Sequence, residues 1–137
     1  NSRKLNAHGI KQAKQNSKLL KDINFDIILC SPSKRTRQTL DLTINNHNCD
    51  KFYDIIYSGS TRQILELITL QDDKYSNILL IGHNPCISEL YNNLVNKLDI
   101  DGQNIYFHSG QFIIMTYNND VQWSKIDLTT PRIEKIK

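Results

Sequence analysis

Two side chains in this chain are well suited to chemistry, and each follows a short apolar segment. His83 comes directly after Gly82, which ends the apolar run 78–81, and Arg35 comes shortly after the apolar run 25–30. An imidazole can donate a hydrogen bond or carry positive charge, and a guanidinium presents a planar fork of donors. Both suit the oxygen atoms of a phosphate group. The pair therefore predicts phosphate chemistry wherever the fold brings the two groups together.

The residues around His83 predict the junction between a strand and a helix. Residues 78–81 suit a strand that is buried on both faces of a parallel sheet. Gly82 permits a tight turn, Asn84 is a good helix N-cap, and Pro85 fits the first helical position. In open α/β sheets, ligands bind at the carboxyl ends of the strands. A helix amino terminus there favours an anion, because it carries free N–H groups and partial positive charge.

The remaining elements alternate between strands and helices. We expect, in chain order, a helix capped by Asn6, a strand at 25–30, a helix capped by Ser31, a strand at 52–57, a helix at 61–70, a strand at 78–81, a helix to about Leu98, a turn at 99–102, strands at 111–117 and 121–128, and a fraying tail from Thr129. This order predicts a three-layer α/β/α sandwich with a mostly parallel sheet, formed by residues 1–137 as a single domain. Because the chain starts with a helix, the first strand of such a fold would precede Asn1.

Composition narrows the function classes. The chain has 137 residues and a net charge of +3, which is compatible with an anionic substrate and too small to argue for nucleic acid. The sequence has no apolar run near the length of a membrane span and no signal-peptide pattern. Its three cysteines are odd in number and irregularly spaced, which argues against a disulfide framework. We therefore expect a cytoplasmic protein that binds neither membrane nor nucleic acid.

Two segments resemble the histidine phosphatase superfamily, and in particular its small SixA-type phosphohistidine phosphatases: SPSKRTRQT at 31–39 and IGHNP at 81–85. Further matches to the family are Leu5, Gly9, Gln12 and Ala13, which precede the Ser-Pro motif, and Arg3, where the family often has an arginine. The segment 107–110, with His108, stands where the family usually has Pro-Thr-Gly. The resemblance covers nearly the whole chain in the right order, and it implies a phosphoglycerate mutase-like fold.

The resemblance implies phosphoryl transfer through a phosphorylated histidine. The family's nucleophile lies in an Arg-His-Gly motif at the end of the first strand, so that motif should precede Asn1. Ala7-His8-Gly9 does not replace it, because Ala7 stands in place of the arginine and no strand precedes it. Arg35 and His83 would form part of the phosphate pocket and contribute to catalysis.

The same resemblance assigns three further substrate-binding groups: the backbone N–H of Asn84, the side chain of Arg3, and His108 from the 107–110 segment. Positive side chains would neutralise the phosphate, so no metal or other cofactor is expected.

The substrate class rests on the leaving group. Larger family members carry a glutamate as the leaving-group acid, and the nearest acids here, Asp54 and Glu66, match that position poorly. Without such an acid, phosphohistidine is the better substrate, because its phosphoramidate bond releases the leaving group easily. The expected partner is therefore a phosphorylated protein such as a histidine phosphotransfer domain. A small phosphorylated metabolite as substrate, and a non-catalytic relative that only binds phosphate or phosphoprotein, remain open.

The sequence supports two other kinds of site less well, a cysteine phosphatase site and a metal site. A cysteine phosphatase needs five residues between its cysteine and arginine, whereas Cys30 and Arg35 are separated by four. Cys30 is better interpreted as a small buried hydrophobe. A metal site built from His47, Cys49, His83 and Cys86 does not have zinc-ligand spacing.

Overall fold

The computed structural model describes residues 3–49, 51–95 and 104–137, and these contain both helices and strands. In chain order the elements are α1 (Ala7–Leu20), β1 (Ile27–Cys30), α2 (Lys34–Thr43), α3 (Asp54–Ser58), α4 (Thr61–Thr69), β2 (Ile78–Ile81), α5 (Cys86–Val95), β3 (Ile113–Thr116), a 3-10 helix (Trp123–Leu128) and β4 (Arg132–Ile136). They group into two compact units, Asn1–Gly59 with Tyr75–Gly82, and Ser60–Lys74 with His83–Lys137. The mixture of elements confirms an α/β fold.

The first unit is built on the parallel pair β1–β2. Their register aligns Ile27 with Ile78 at one end and Cys30 with Ile81 at the other. Leu29 and Cys30 are fully buried, as expected for a strand covered on both faces. Because the two strands are parallel and in step, their carboxyl ends finish side by side.

Helix α1 packs against α2 in this unit through an apolar stripe. Asn6 is its N-cap, as predicted, and its Oδ1 accepts from the N–H of Gly9 at 2.8 Å. Ala13 and Leu20 on one face are buried, and on α2 Leu40 is fully buried. The side chains of α1 therefore separate into a core face and a solvent face.

The second unit contains α4, α5, the 3-10 helix and the antiparallel pair β3–β4. Helix α4 starts with a capping box, in which Ser60 and Gln63 satisfy each other's backbone N–H groups. The core of this unit consists mainly of aliphatic side chains: Ile64, Ile68, Leu90, Leu94 and Ile126.

Three predicted elements are wrong. Residues 52–57 form mainly the helix α3 instead of a strand: the N–H of Tyr53 bonds back to Cys30 (3.0 Å), and Asp54 then starts the helix. Residues 121–128 form mainly the 3-10 helix and not the second strand of a hairpin. The tail does not fray: β4 pairs with β3, and Phe112 and Lys137 exchange two backbone bonds of 2.8 and 2.9 Å.

The larger architecture stays partly a prediction. The described residues contain one parallel and one antiparallel pair of strands, in two separate two-stranded sheets. The single three-layer sandwich, the mostly parallel sheet and the single domain therefore stay predictions. The predicted turn at 99–102 and the helix beyond Val95 lie outside the described residues.

Candidate functional site

A buried polar network shapes the loop between β1 and α2. Ser33, and not the predicted Ser31, is the N-cap of α2, and its Oγ accepts from the N–H of Thr36 at 3.3 Å. The Oγ1 of Thr36 donates to the carbonyl of Ser31 at 2.8 Å and lies 2.8 Å from the Oγ of Ser33. Ser31 lies three residues before the first residue of α2, and its N–H continues the strand ladder to Ile81 at 3.1 Å. The hydroxyls of Ser33 and Thr36, with the backbone carbonyl of Ser31, thus tie the start of α2 to the end of β1.

Arg35 lies in the first turn of α2 and is half-buried. Its guanidinium has no hydrogen bond or ion pair with any residue in the described ranges 3–49, 51–95 and 104–137. Guanidinium groups that lose part of their hydration normally find an acceptor or a counterion. Arg35 also sits at the positive end of the helix dipole. Together these features make the start of α2 a place where an anion would be stabilised.

Arg37 has a different environment from Arg35. Its Nε donates to the carbonyl of Pro32 at 2.9 Å, and its guanidinium lies 4.0 Å from the centre of the Phe52 ring. These contacts hold the loop before α2 against the segment that leads to α3. Arg37 therefore supports the loop.

The segment before α1 runs alongside the helix that carries Arg35. The N–H of Leu5 donates to the Oε1 of Gln38 at 2.8 Å, and Gln38 lies about one turn beyond Arg35 in α2. Arg3 is exposed and lies two residues before Leu5. The structure thus brings the Arg3 segment to the helix of Arg35, and a contact of Arg3 with substrate stays a prediction.

His83 belongs to the second unit, at the start of α5, and is half-buried. Its carbonyl accepts from the N–H of Ile87 at 3.0 Å, so the first helical hydrogen bond closes on His83 itself. The preceding Gly82 directly follows β2, as predicted. His83 therefore occupies the predicted junction between strand and helix, while its sharing of a phosphate with Arg35 stays a prediction.

The side chain of Asn84 holds a neighbouring loop against α5. Its Nδ2 donates to the carbonyl of Phe107 at 2.7 Å, and its Oδ1 accepts from the hydroxyl of Ser88 at 2.5 Å. The Oγ of Ser88 in turn accepts from the N–H of Phe107 at 2.9 Å. The three residues form a closed ring of hydrogen bonds that fixes both backbone groups of Phe107.

A second set of side-chain hydrogen bonds lies two turns further along α5. The side chain of Asn92 donates to the carbonyl of Ile105 at 2.8 Å and accepts from its N–H at 2.9 Å. Asn84, Ser88 and Asn92 are spaced by four residues, so they form one polar stripe along the helix. This stripe holds residues 105–107 against α5.

Residues 105–107, which these hydrogen bonds hold against α5, lead directly to His108. The N–H of His108 donates to the Oε1 of Gln111 at 2.9 Å, and its exposed ring bonds to no described residue. Gly110 turns the chain with a φ of 78°, which a side chain would disfavour. The structure thus places His83, Asn84 and His108 in one unit, with the loop of His108 fastened to the helix that follows His83.

Cys30 does not have the properties of a nucleophile. It is fully buried, and its thiol donates to the carbonyl of Ser31 at 3.4 Å. Burial, with a smaller contribution from nearby Cys49, raises the pKa of Cys30 to about 12. The reactive species of a cysteine is the thiolate, so Cys30 is inert at neutral pH. The interpretation of Cys30 as a buried hydrophobe is confirmed.

The other candidate side chains are placed as follows. Asp54 is exposed at the first position of α3, and exposed Glu66 lies 3.5 Å from Arg62 on α4. His8 is exposed in the first turn of α1. Among the described residues, no three His, Cys, Asp or Glu side chains gather in a group able to hold a metal ion.

Sequence reasoning missed the residues that fix the loops next to the candidate site residues. Ser33 and Thr36 have the spacing of an N-cap and its third helical residue, which is a detectable signal. Ser88 and Asn92 also follow Asn84 at helical spacing. Their loop partners, Phe107 and Ile105, had no signal in the sequence, because the contacts span 13 to 23 residues.

Comparison with known proteins identifies a family model and a shared fold. Residues 2–55 match the model of the histidine phosphatase superfamily (branch 1). This segment includes the Ser-Pro motif and Arg35. No curated protein gives a significant match to the chain.

Solved structures match nearly the whole chain. A protein of Nakamurella multipartitia assigned as a phosphohistidine phosphatase SixA is 23% identical, with a TM-score of 0.83 over 99% of this chain and 84% of its own. The protein histidine phosphatase SixA in complex with tungstate is 16% identical, with a TM-score of 0.77 over 98% and 83%. A further SixA assignment, from Agrobacterium tumefaciens, is 20% identical, with a TM-score of 0.75 over 99% and 83%. The shared fold and the family match confirm the resemblance predicted from the motifs.

Proposed function

We propose that this chain, with its histidine phosphatase superfamily match and its SixA fold, is a phosphatase that acts through a phosphohistidine intermediate. The observation that carries the proposal is the environment of Arg35: a half-buried guanidinium at a helix start, with no partner among the described residues. A phosphate group would supply both the missing acceptors and the missing negative charge.

Arg35 and His83 are proposed to bind one phosphoryl group. Negative charge stays on the phosphoryl oxygens through the transition state, so catalysis depends mainly on positioning and charge stabilisation. Arg35 would bind these oxygens through its fork of N–H groups, and His83 would donate a hydrogen bond to another. Each donor of this kind contributes roughly 3 kcal/mol to transition-state stabilisation.

The nucleophile is proposed to be a histidine in an Arg-His-Gly segment upstream of residue 1. Its ring nitrogen would bond to phosphorus as the bond to the leaving group breaks, and water would then hydrolyse the phosphohistidine. His8 is not proposed for this role, because it lies exposed on α1 and nothing described holds its ring in place.

Protein phosphohistidine is the proposed substrate. Neither Asp54 nor Glu66 is placed as a general acid, since the first is solvent-exposed on α3 and the second pairs with Arg62. The imidazole leaving group of phosphohistidine needs less help from an acid than the alkoxide of a sugar phosphate. The SixA names of the structural relatives point the same way. A cytoplasmic location also stays a prediction, and none of the helices in the described residues is long and apolar enough to cross a membrane.

The test is to incubate the full-length protein with a phosphorylated histidine phosphotransfer domain and, separately, with sugar phosphates. We expect release of phosphate from the phosphohistidine and little from the sugars. Preferential hydrolysis of the sugar phosphates would mean that the substrate is a small phosphoester and not protein phosphohistidine. Binding of phosphate without any turnover would make the protein a non-catalytic relative.

A further inference from the structure

Charge is distributed unevenly along this chain. Residues 1–21 contain six of its lysines and arginines and none of its 14 acidic residues. The remaining 116 residues contain 11 basic and 14 acidic residues, so they are net negative. A general enrichment in lysine does not explain this pattern, because it would not remove acidic residues from one segment alone. The asymmetry suggests that the first helix serves an interaction.

Four of these residues form one stripe along α1, the last of them at its C-cap. Lys11, Lys14, Lys18 and Lys21 are spaced by three, four and three residues, which places them on the same face of a helix. We call this set the lysine stripe. All four side chains are exposed, whereas the opposite side of α1 is buried in the core. Over ten residues the stripe extends about 15 Å.

The lysine stripe is not neutralised within the described part of the chain. None of its four members forms an ion pair there, and α1 itself contains no acidic residue. Neighbouring like charges at these spacings destabilise a helix by roughly 0.2–0.5 kcal/mol per pair. A face that only needs to be soluble would interleave acidic side chains and avoid this cost. The stripe therefore fits a surface that meets negative charge on another molecule.

The lysine stripe belongs to the same unit as Arg35. Helix α1 packs on α2, and the Leu5–Gln38 hydrogen bond of 2.8 Å joins the start of α1 to the middle of α2. A molecule held on the outer face of α1 would thus lie beside the helix that carries Arg35.

We propose that the lysine stripe is a docking surface for an acidic protein that carries the phosphohistidine. This inference rests on the proposed function and adds the surface that recognises the substrate protein. An exposed positive stripe raises the association rate with a negatively charged partner, and the effect weakens as salt screens the charges.

Other negatively charged partners fit the stripe less well. A helix that binds a membrane surface inserts an apolar face, but the apolar face of α1 is buried in its own unit. Binding to single-stranded nucleic acid normally uses aromatic side chains, and α1 has none. A protein with an acidic surface needs neither feature.

The test measures binding of an acidic histidine phosphotransfer domain, labelled with a fluorophore and unphosphorylated, by fluorescence anisotropy at 50 and 300 mM salt. The variant is Lys14→Glu with Lys18→Glu. Its matched control, Lys125→Glu with Lys137→Glu, changes the net charge equally at two exposed sites of the other unit. We expect the stripe variant to weaken binding about 10-fold or more at low salt and the control to change it little.

The other outcomes overturn the proposal. Equal losses in both variants would mean that only net charge matters, and no loss in the stripe variant would mean that α1 does not contact the domain. If the lysine stripe binds anionic phospholipid vesicles or duplex DNA more tightly than the histidine phosphotransfer domain, its partner is a membrane or a nucleic acid. Lys14→Gln with Lys18→Gln, checked by thermal melting, replaces the Glu variant if that one unfolds.

A separate activity assay distinguishes this inference from the proposed function. Hydrolysis of free phosphoramidate by the stripe variant should equal that of the wild type, because the small substrate does not use the docking surface. If the wild type does not hydrolyse phosphoramidate, the proposed phosphatase activity is wrong. The anisotropy measurement then still tests the docking surface by itself.

Discussion

The backbone N–H of Ser31 donates to the carbonyl of Ile81 across 3.1 Å, and this bond is the last rung of the parallel β1–β2 ladder. The chain therefore leaves both strands at the same edge. From Ser31 it enters the loop and helix that carry Arg35, and from Ile81 it passes through Gly82 to His83. Ligands bind at this edge in open α/β sheets. That Arg35 and His83 bind one anion stays a proposal.

Replacement of Arg35 by alanine should lower activity with little loss of stability. Since Arg35 has no partner among the described residues, we expect the free energy of unfolding to change by less than about 0.5 kcal/mol. Turnover of a phosphorylated histidine phosphotransfer domain should fall about 100-fold or more. Denaturant unfolding and steady-state kinetics on the full-length protein measure the two effects.

Arg37→Ala is the matched control for Arg35→Ala. It removes the contacts to Pro32 and Phe52, so it should reduce stability by about 1 kcal/mol and keep turnover close to that of the wild type. If Arg35→Ala instead unfolded the protein and kept its turnover, Arg35 would be a structural residue.

The N-cap of α2 should contribute more to stability than the N-cap of α1. Ser33→Ala leaves the buried N–H of Thr36 without its acceptor, which costs about 1–3 kcal/mol. Asn6→Ala removes a cap that water can replace, because Asn6 is exposed, and should cost about 0.5 kcal/mol. Urea titrations of both variants give the comparison, and equal losses would contradict the importance of the buried network.

The ring of hydrogen bonds on α5 should control the mobility of the His108 loop. Ser88→Ala removes the acceptor of the Phe107 N–H, so hydrogen exchange at that amide should accelerate by about 10-fold or more. Asn84→Asp has the same shape but cannot donate to the carbonyl of Phe107, and it should accelerate exchange in the same segment. Exchange rates like those of the wild type in both variants would show that other contacts fix the loop.

The buried Cys30 thiol should make stability fall at alkaline pH. Its pKa is raised from an ordinary value of 9.0 to about 12, so the unfolded chain loses this proton at lower pH than the folded chain. The contribution is fully present below pH 9 and is lost as pH rises towards 12, at up to about 1.4 kcal/mol per pH unit. Burial likewise raises the pKa of Tyr117 to about 12.

Unfolding measurements between pH 8 and 11 test this dependence. Cys30→Ala removes the thiol, so its stability should fall less steeply with pH than that of the wild type. Parallel curves for the two proteins would show that the Cys30 thiol does not cause the decline.

The sequence predicted the elements that carry strong local signals. The apolar runs that form β1 and β2 were found, as were the cap of α1 at Asn6 and helices α2, α4 and α5. In each case the apolar pattern and the flanking polar residues agree on one local structure.

The errors occur where the local pattern fits more than one structure or where the partner lies far along the chain. Residues 52–57 have enough apolar side chains for a strand, but Asp54 and the Gly59–Ile55 bond of 2.8 Å define a short helix instead. The tail looked too charged to be ordered, yet it pairs with β3, whose position along the chain gave no indication of that partner. Propensity is a weak guide for such segments, because packing overrides it.

The site shows the same division. The candidate residues Arg35 and His83 were chosen from their types and from the motifs around them, and their catalytic role stays a prediction. The role of the Asn84 side chain was missed, because its contact with Phe107 spans 23 residues and depends on how the loop packs on α5. Residues that act through a partner far along the chain need the structure to be found.

The most direct measurement of the central claim is a crystal structure of the full-length protein with tungstate, a phosphate analogue. We expect one tungstate to contact both the Arg35 guanidinium and the His83 imidazole. Tungstate bound away from both groups, or separate ions on the two residues, would contradict the shared phosphate site and with it the phosphatase proposal.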